Sequence, residues 1–122
     1  MKKVVIMDSS TFMQGALKFI VEHSGNKVVG LTDTGMKVLE LCANLKPDAV
    51  IFELSPREGM DGISIVKELT KLDEKILIIV TFVPGEDDLV GEAKNSGAIG
   101  QIAKPFVPKE VTEELGRIFK TK

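Results

Sequence analysis

Four apolar runs in this sequence end on residues that can do chemistry. VVIM is followed by Asp8 and Ser9, AVIF by Glu53, IIV by Thr81, and AIGQIA by Lys104. Two acids, two hydroxyls and a lysine, brought together, can hold a cation and a phosphoryl-like anion side by side. Carboxylate oxygens suit a hard divalent ion, while an ammonium and hydroxyl donors suit phosphate oxygens. These residues lie far apart along the chain, so only a fold that gathers the ends of the runs can make them one site.

The runs at Lys3–Met7, Lys27–Leu31, Ala49–Glu53, Ile76–Thr81 and Ala98–Ile102 have the length and β-branched content of buried strands. Amphipathic segments separate them. Phe12, Ala16, Phe19 and Ile20 share a helical face in the first, and Val38, Leu41, Cys42 and Leu45 in the second. Ile63, Val66 and Leu69 mark the third, Leu89, Val90 and Ala93 a weaker fourth, and Val111, Leu115, Ile118 and Phe119 the last. Ser9 or Ser10, Thr34 and Gly85 stand where helices should start, while Gly25 and Gly97 follow helices, where a left-handed cap residue costs least. Five βα units with right-handed crossovers predict an α/β fold, a three-layer doubly wound (βα)5 sandwich with a parallel sheet covered on both faces. In such a sheet ligands sit beyond the carboxyl ends of the strands, where the five polar residues fall.

Composition narrows the function classes. With 122 residues, 43% hydrophobic and 28% charged, the chain fits a single domain, 1–122, with a real core. A formal charge of -2 gives no electrostatic reason to expect nucleic acid or an anionic membrane surface. The single cysteine, Cys42, excludes an internal disulfide, and with one histidine, His23, it leaves no Cys/His zinc set. The apolar run in MKKVVIMDSS stops at Asp8, short of the roughly 7–15 residues of a signal-peptide core, and no stretch approaches the ~20 apolar residues of a membrane helix. A cytoplasmic chain is expected.

The segments VVIMDSS, KPDAVIFELS, GMDG, IIVTF and SGAIGQIAKPF, in this order and at nearly the expected spacing, resemble the receiver domains of two-component response regulators, close to the stand-alone chemotaxis type. The resemblance runs from Lys3 to Phe119. It implies a flavodoxin-like fold with strand order 2-1-3-4-5. It also implies a site where an aspartate closing strand three accepts a phosphoryl group from a histidine kinase, assisted by Mg²⁺, a Thr or Ser, and a Lys. Asp8 then matches the first metal acid, and Thr81 and Lys104 match the hydroxyl and the lysine. Lys104 and Pro105 form the dipeptide whose bond is cis in the family.

Three positions depart from that pattern: Ser9 stands where the second metal acid belongs, Glu53 at the phosphoacceptor, and Gln101 at the aromatic switch position. The loop from Glu53 to Gly62 is read as one residue longer than usual, which would displace the backbone carbonyl near Ser55, a family metal ligand. Phosphoryl transfer needs an acceptor oxygen in line with phosphorus and Mg²⁺ on the moving charge. Glutamate carries its carboxylate one methylene further, into the space a phosphoryl group would need, and loss of an acid at position 9 weakens Mg²⁺ binding. Weak Mg²⁺ binding and no other cofactor are expected. Glu53 has a partner in Lys104 and a hydroxyl donor in Thr81, and so reads as a permanent anion imitating part of a phospho-aspartate.

Simpler roles are set beside these. Asp8 can be a helix-start acid, Ser9 an N-cap, Thr81 a strand residue, and Glu53 and Lys104 an ion pair. Asp61 and Gly62 start the third helix, Cys42 packs, His23 ends a helix, and Arg57 and Glu58 are exposed with Arg57 able to swing towards Glu53. The expected function is a signalling and binding module, not an enzyme, any phosphotransfer being self-phosphorylation at the receiver site. It docks a histidine kinase or downstream effector through the face of helix four, strand five and helix five, with no nucleic acid and no membrane insertion. Two alternatives stay open: a working Mg²⁺-dependent receiver with Glu53 or Ser55 as acceptor, and a flavodoxin-like ligand-binding domain. Against the latter, DSSTFMQG lacks a Gly-rich phosphate loop.

Overall fold

The computed structural model describes residues 1–120. Five strands, β1 (Lys3–Met7), β2 (Lys27–Thr32), β3 (Ala49–Glu53), β4 (Leu77–Phe82) and β5 (Gly100–Ala103), alternate with five helices. The helices are α1 (Thr11–His23), α2 (Gly35–Leu45), α3 (Gly62–Leu72), α4 (Asp87–Ser96) and α5 (Pro108–Phe119). All strand pairs are parallel and the order is β2-β1-β3-β4-β5. This is the flavodoxin-like arrangement.

Strand alternation divides the core into two layers. Val5, Met7, Val50, Phe52, Ile78 and Val80 pack with Val38, Cys42, Val66, Leu69 and Val90 from α2, α3 and α4. Val4, Ile6, Ile51, Ile79 and Ile102 pack instead with Leu17, Ile20, Val21, Val111 and Leu115 from α1 and α5. Continuing the alternation past Met7, Phe52, Val80 and Ala103 brings Asp8, Glu53, Thr81 and Lys104 to the α1/α5 side at one end of the sheet. Pairing also runs on past the strands: Asp8 N donates to Thr32 O, Leu54 N to Thr81 O and Lys104 N to Phe82 O. The positions of the site residues are therefore a consequence of the sheet.

The structure differs from the sequence expectation in particular places. On α1 the buried residues are Leu17, Ile20 and Val21, whereas Phe12 is 80% and Phe19 61% exposed. The stripe of Leu17, Ile20 and Val21 wins because it packs with Val4, Ile6 and Ile51 of the sheet and with Val111 and Leu115 of α5, while Phe19 stacks on His23 at the surface with ring centroids 4.0 Å apart. Gly85 does not start α4; it lies in the preceding turn at φ +99°, and Glu86 is the N-cap residue. Strands β4 and β5 begin later than their apolar runs. Ala98 N donates to Ala93 O and closes α4, Ile99 N donates to Ile78 O, and β5 itself begins at Gly100. Thr34 and Asp61 cap α2 and α3, accepting from Lys37 N and Ser64 N. Gly62 is required by contact: a Cβ there would lie 2.4 Å from Leu54 O, in the segment that follows Glu53.

Candidate phosphoacceptor site

Glu53 closes β3 beside Thr81 of β4, and the site grows outward from its carboxylate. Oε1 accepts from the backbone N of Ser9 at 2.7 Å and from Ser9 Oγ at 2.6 Å. Oε2 accepts from Lys104 Nζ at 2.8 Å. Lys104 Nζ also lies 2.7 Å from Asp8 Oδ2. Asp8 Oδ1 in turn accepts from Ser10 N at 2.9 Å. One lysine therefore bridges two buried acids, with only 14% of its own side chain exposed.

The electrostatics follow from these contacts. Burial pushes the Glu53 carboxyl up, but the Lys104 ammonium and the two Ser9 donors outweigh it and hold the group below its ordinary value. Burial likewise pushes Lys104 down, and Asp8 and Glu53 outweigh it, so the ammonium is held on more tightly than in water. Both groups are charged at neutral pH. If Glu53 is replaced by glutamine, Lys104 keeps Asp8 but loses one ionic partner, so we expect a stability loss of about 1 kcal/mol by urea unfolding. An unchanged unfolding midpoint would show that the Glu53–Lys104 contact contributes nothing.

Several expected roles change. Ser9 does not cap α1; Ser10 does, its Oγ accepting from Met13 N at 3.3 Å. The Ser9 hydroxyl is thereby free to donate to Glu53 and to accept from Arg57 N at 3.0 Å. Arg57 joins the site through its backbone, while its side chain is exposed. Thr81 does not donate to Glu53: its Oγ1 is buried with no hydrogen-bond partner. One Glu53 oxygen is taken by Ser9 and the other by Lys104, and neither meets the Thr81 hydroxyl. Ser55 is exposed and lines a cavity of about 60 Å³ with Glu53, Thr81, Lys104 and Glu86. Glu86 was not foreseeable from strand-end position, since it caps a turn, accepting from Val83 N at 2.9 Å. The Lys104–Pro105 bond is cis. Gln101 lies on β5 with a buried, unpartnered Oε1. Burial pushes the Cys42 thiol up to about 12, which fits an inert packing residue.

The carboxylates that would hold a divalent metal are already engaged. The Glu53 oxygens are engaged by Ser9 and Lys104, and those of Asp8 by Ser10 and Lys104. Among the described residues no group of three or more His, Cys, Asp or Glu could hold a metal ion. Nor is any described helix long and apolar enough to cross a membrane.

The model of the response regulator receiver domain matches residues 4–116. The chain belongs to that family. As a receiver of two-component signalling it is 38% identical over 119 residues to the chemotaxis protein CheY of Thermotoga maritima, with 98% of each chain covered. It is 29% identical to the sporulation initiation phosphotransferase F of Bacillus subtilis, with 93% of this receiver and 90% of the relative covered. Among solved structures, the response regulator domain of Thermotoga maritima CheB matches with a TM-score of 0.81 at 27% identity, covering 95% of this receiver and 91% of that chain. A receiver domain from Clostridium thermocellum matches in fold with a TM-score of 0.88 at 20% identity, covering 97% of this receiver and 94% of that chain.

Proposed function

We propose that this receiver signals by binding protein partners, with Glu53 as a fixed anion where the family pattern has a phosphorylatable aspartate. The observation that carries the reading is the engagement of both Glu53 oxygens, one by Ser9 and the other by Lys104. An in-line phosphoryl acceptor needs an oxygen free to approach phosphorus. Here approach would break the Ser9 or the Lys104 contact, and the donors around the carboxylate leave Mg²⁺ at most a weak foothold.

Neither Thr81 Oγ1 nor Gln101 Oε1 has a hydrogen-bond partner, so the pair of positions that would relay the state of the site to β5 and α5 in the family pattern is not joined by these atoms. A constant signal is thus favoured over a switched one. The partner, a histidine kinase or a downstream effector, docks on the α4–β5–α5 face, and the role is that of a binding module, not an enzyme.

Intact mass after incubation with acetyl phosphate tests this, with Mg²⁺ in one sample and EDTA in the other. We expect no added phosphate in either while the protein stays folded. A Mg²⁺-dependent gain of one phosphate would replace this reading with that of a working phosphoacceptor.

A further inference from the structure

Gln101 of β5 lies on the face assigned above to the protein partner. A cavity of about 200 Å³ is lined by Phe82, Gln101, Ile102, Ala103 and Glu110. That is smaller than the roughly 300–1,000 Å³ of a drug-sized ligand site, and it suits one long side chain. Gln101 buries its Oε1 without a donor, which is costly for an amide oxygen. Turning that amide costs Oε1 no hydrogen bond. Phe82 supplies an aromatic wall and Glu110 a carboxylate.

A partner cannot dock here by adding a strand. The outer edge of β5 is already covered: Gln101 N donates to Glu114 Oε2 at 2.9 Å, and Arg117 Nη2 donates to Ile99 O at 3.0 Å. Recognition must therefore run through side chains. Glu110 lines the cavity, and α5 carries two further acids, Glu113 and Glu114, against Lys109 and Arg117, the last already paired with Glu114.

Resting on the binding role proposed above, we propose that this cavity receives an arginine side chain from a basic segment of the protein partner. The guanidinium is planar, has five donors and stacks on aromatic rings. It can lie on Phe82 while donating to the turned Gln101 amide and to Glu110. Lysine offers a point charge with no face to stack, and an aromatic anchor leaves Glu110 unmatched.

The test is an amide NMR titration of the unphosphorylated full chain with acetyl-Gly-Arg-Gly-amide and its lysine counterpart. The arginine peptide should shift Phe82, Gln101, Ala103 and Glu110, with affinity several-fold above that of lysine. Glu110→Gln and Gln101→Leu should each weaken it several-fold. Equal response to the two peptides, shifts confined to other residues, or unchanged affinity in both variants would overturn the proposal. A phosphate gain in the mass experiment would overturn the fixed-anion reading without touching this one, because the titration involves no phosphodonor.

Discussion

Replacing Lys104 with methionine should lower stability by about 3–5 kcal/mol at pH 7, because it removes the one cation shared by two buried carboxylates and leaves both uncompensated. The pH dependence distinguishes this from lost packing. In the unaltered protein Glu53 is held below its ordinary value, so its contribution is complete above the unfolded carboxyl pKa of ~4.3 and is lost as pH falls through the lower folded value. Lys104 is held above its ordinary value, so its contribution is complete below ~10.4 and is lost as pH rises through the higher folded value. Between these limits the cluster gives a plateau. Without the ammonium, burial and the neighbouring acid push the Glu53 carboxyl up instead, and the variant loses stability as pH rises through that value. Urea unfolding at pH 5 and pH 7 should therefore show a smaller deficit at pH 5. A deficit equal at both values, or under about 1 kcal/mol at pH 7, would mean that Lys104 does not balance these charges.

The same cluster separates what was legible in the sequence from what was not. Parallel strands buried on both faces appear as continuous apolar runs, so their existence was readable, and the polar residue ending each run had to lie on one rim; the order of the strands in the sheet was implied by the family resemblance alone. Hydrogen-bond partners were not readable, because they depend on where a side chain turns. DSS offers two adjacent hydroxyls with equal capping propensity; the backbone at the end of β1 makes Ser10 the cap and turns Ser9 towards Glu53. Glu53 takes that donor, and Thr81 Oγ1 is left without a partner. On α1 two apolar stripes overlap. Periodicity alone cannot choose between the one carrying Phe12 and Phe19 and the one carrying Leu17 and Val21, and packing on the sheet and α5 decides it. On α5 only one stripe exists, and Val111 and Leu115 are buried as the pattern implies.

If Ser9 and Glu53 compensate each other, changing them together should do what neither change does alone. Ser9→Asp by itself sets a new carboxylate against Glu53 Oε1, which now receives two hydrogen bonds from residue 9, and like charges in a partly buried site destabilise. Glu53→Asp by itself withdraws the carboxylate from Ser9 and still supplies no third acid. The double variant shortens one acid as it adds the other, leaving three carboxylates at positions 8, 9 and 53 on one rim, a donor set suited to a hard divalent ion. Mg²⁺ at a hundred times its Kd should then raise stability by about 2.7 kcal/mol, while the same addition leaves the unaltered protein unchanged. Thermal unfolding with Mg²⁺ and with EDTA reads the difference directly. Should the double variant ignore Mg²⁺ while remaining folded, the obstacle is the backbone of the loop from Leu54 to Asp61. Its course is constrained by Gly62 N on Leu54 O, a contact that the double variant leaves in place, and a metal site would then require remaking that loop as well as the acids.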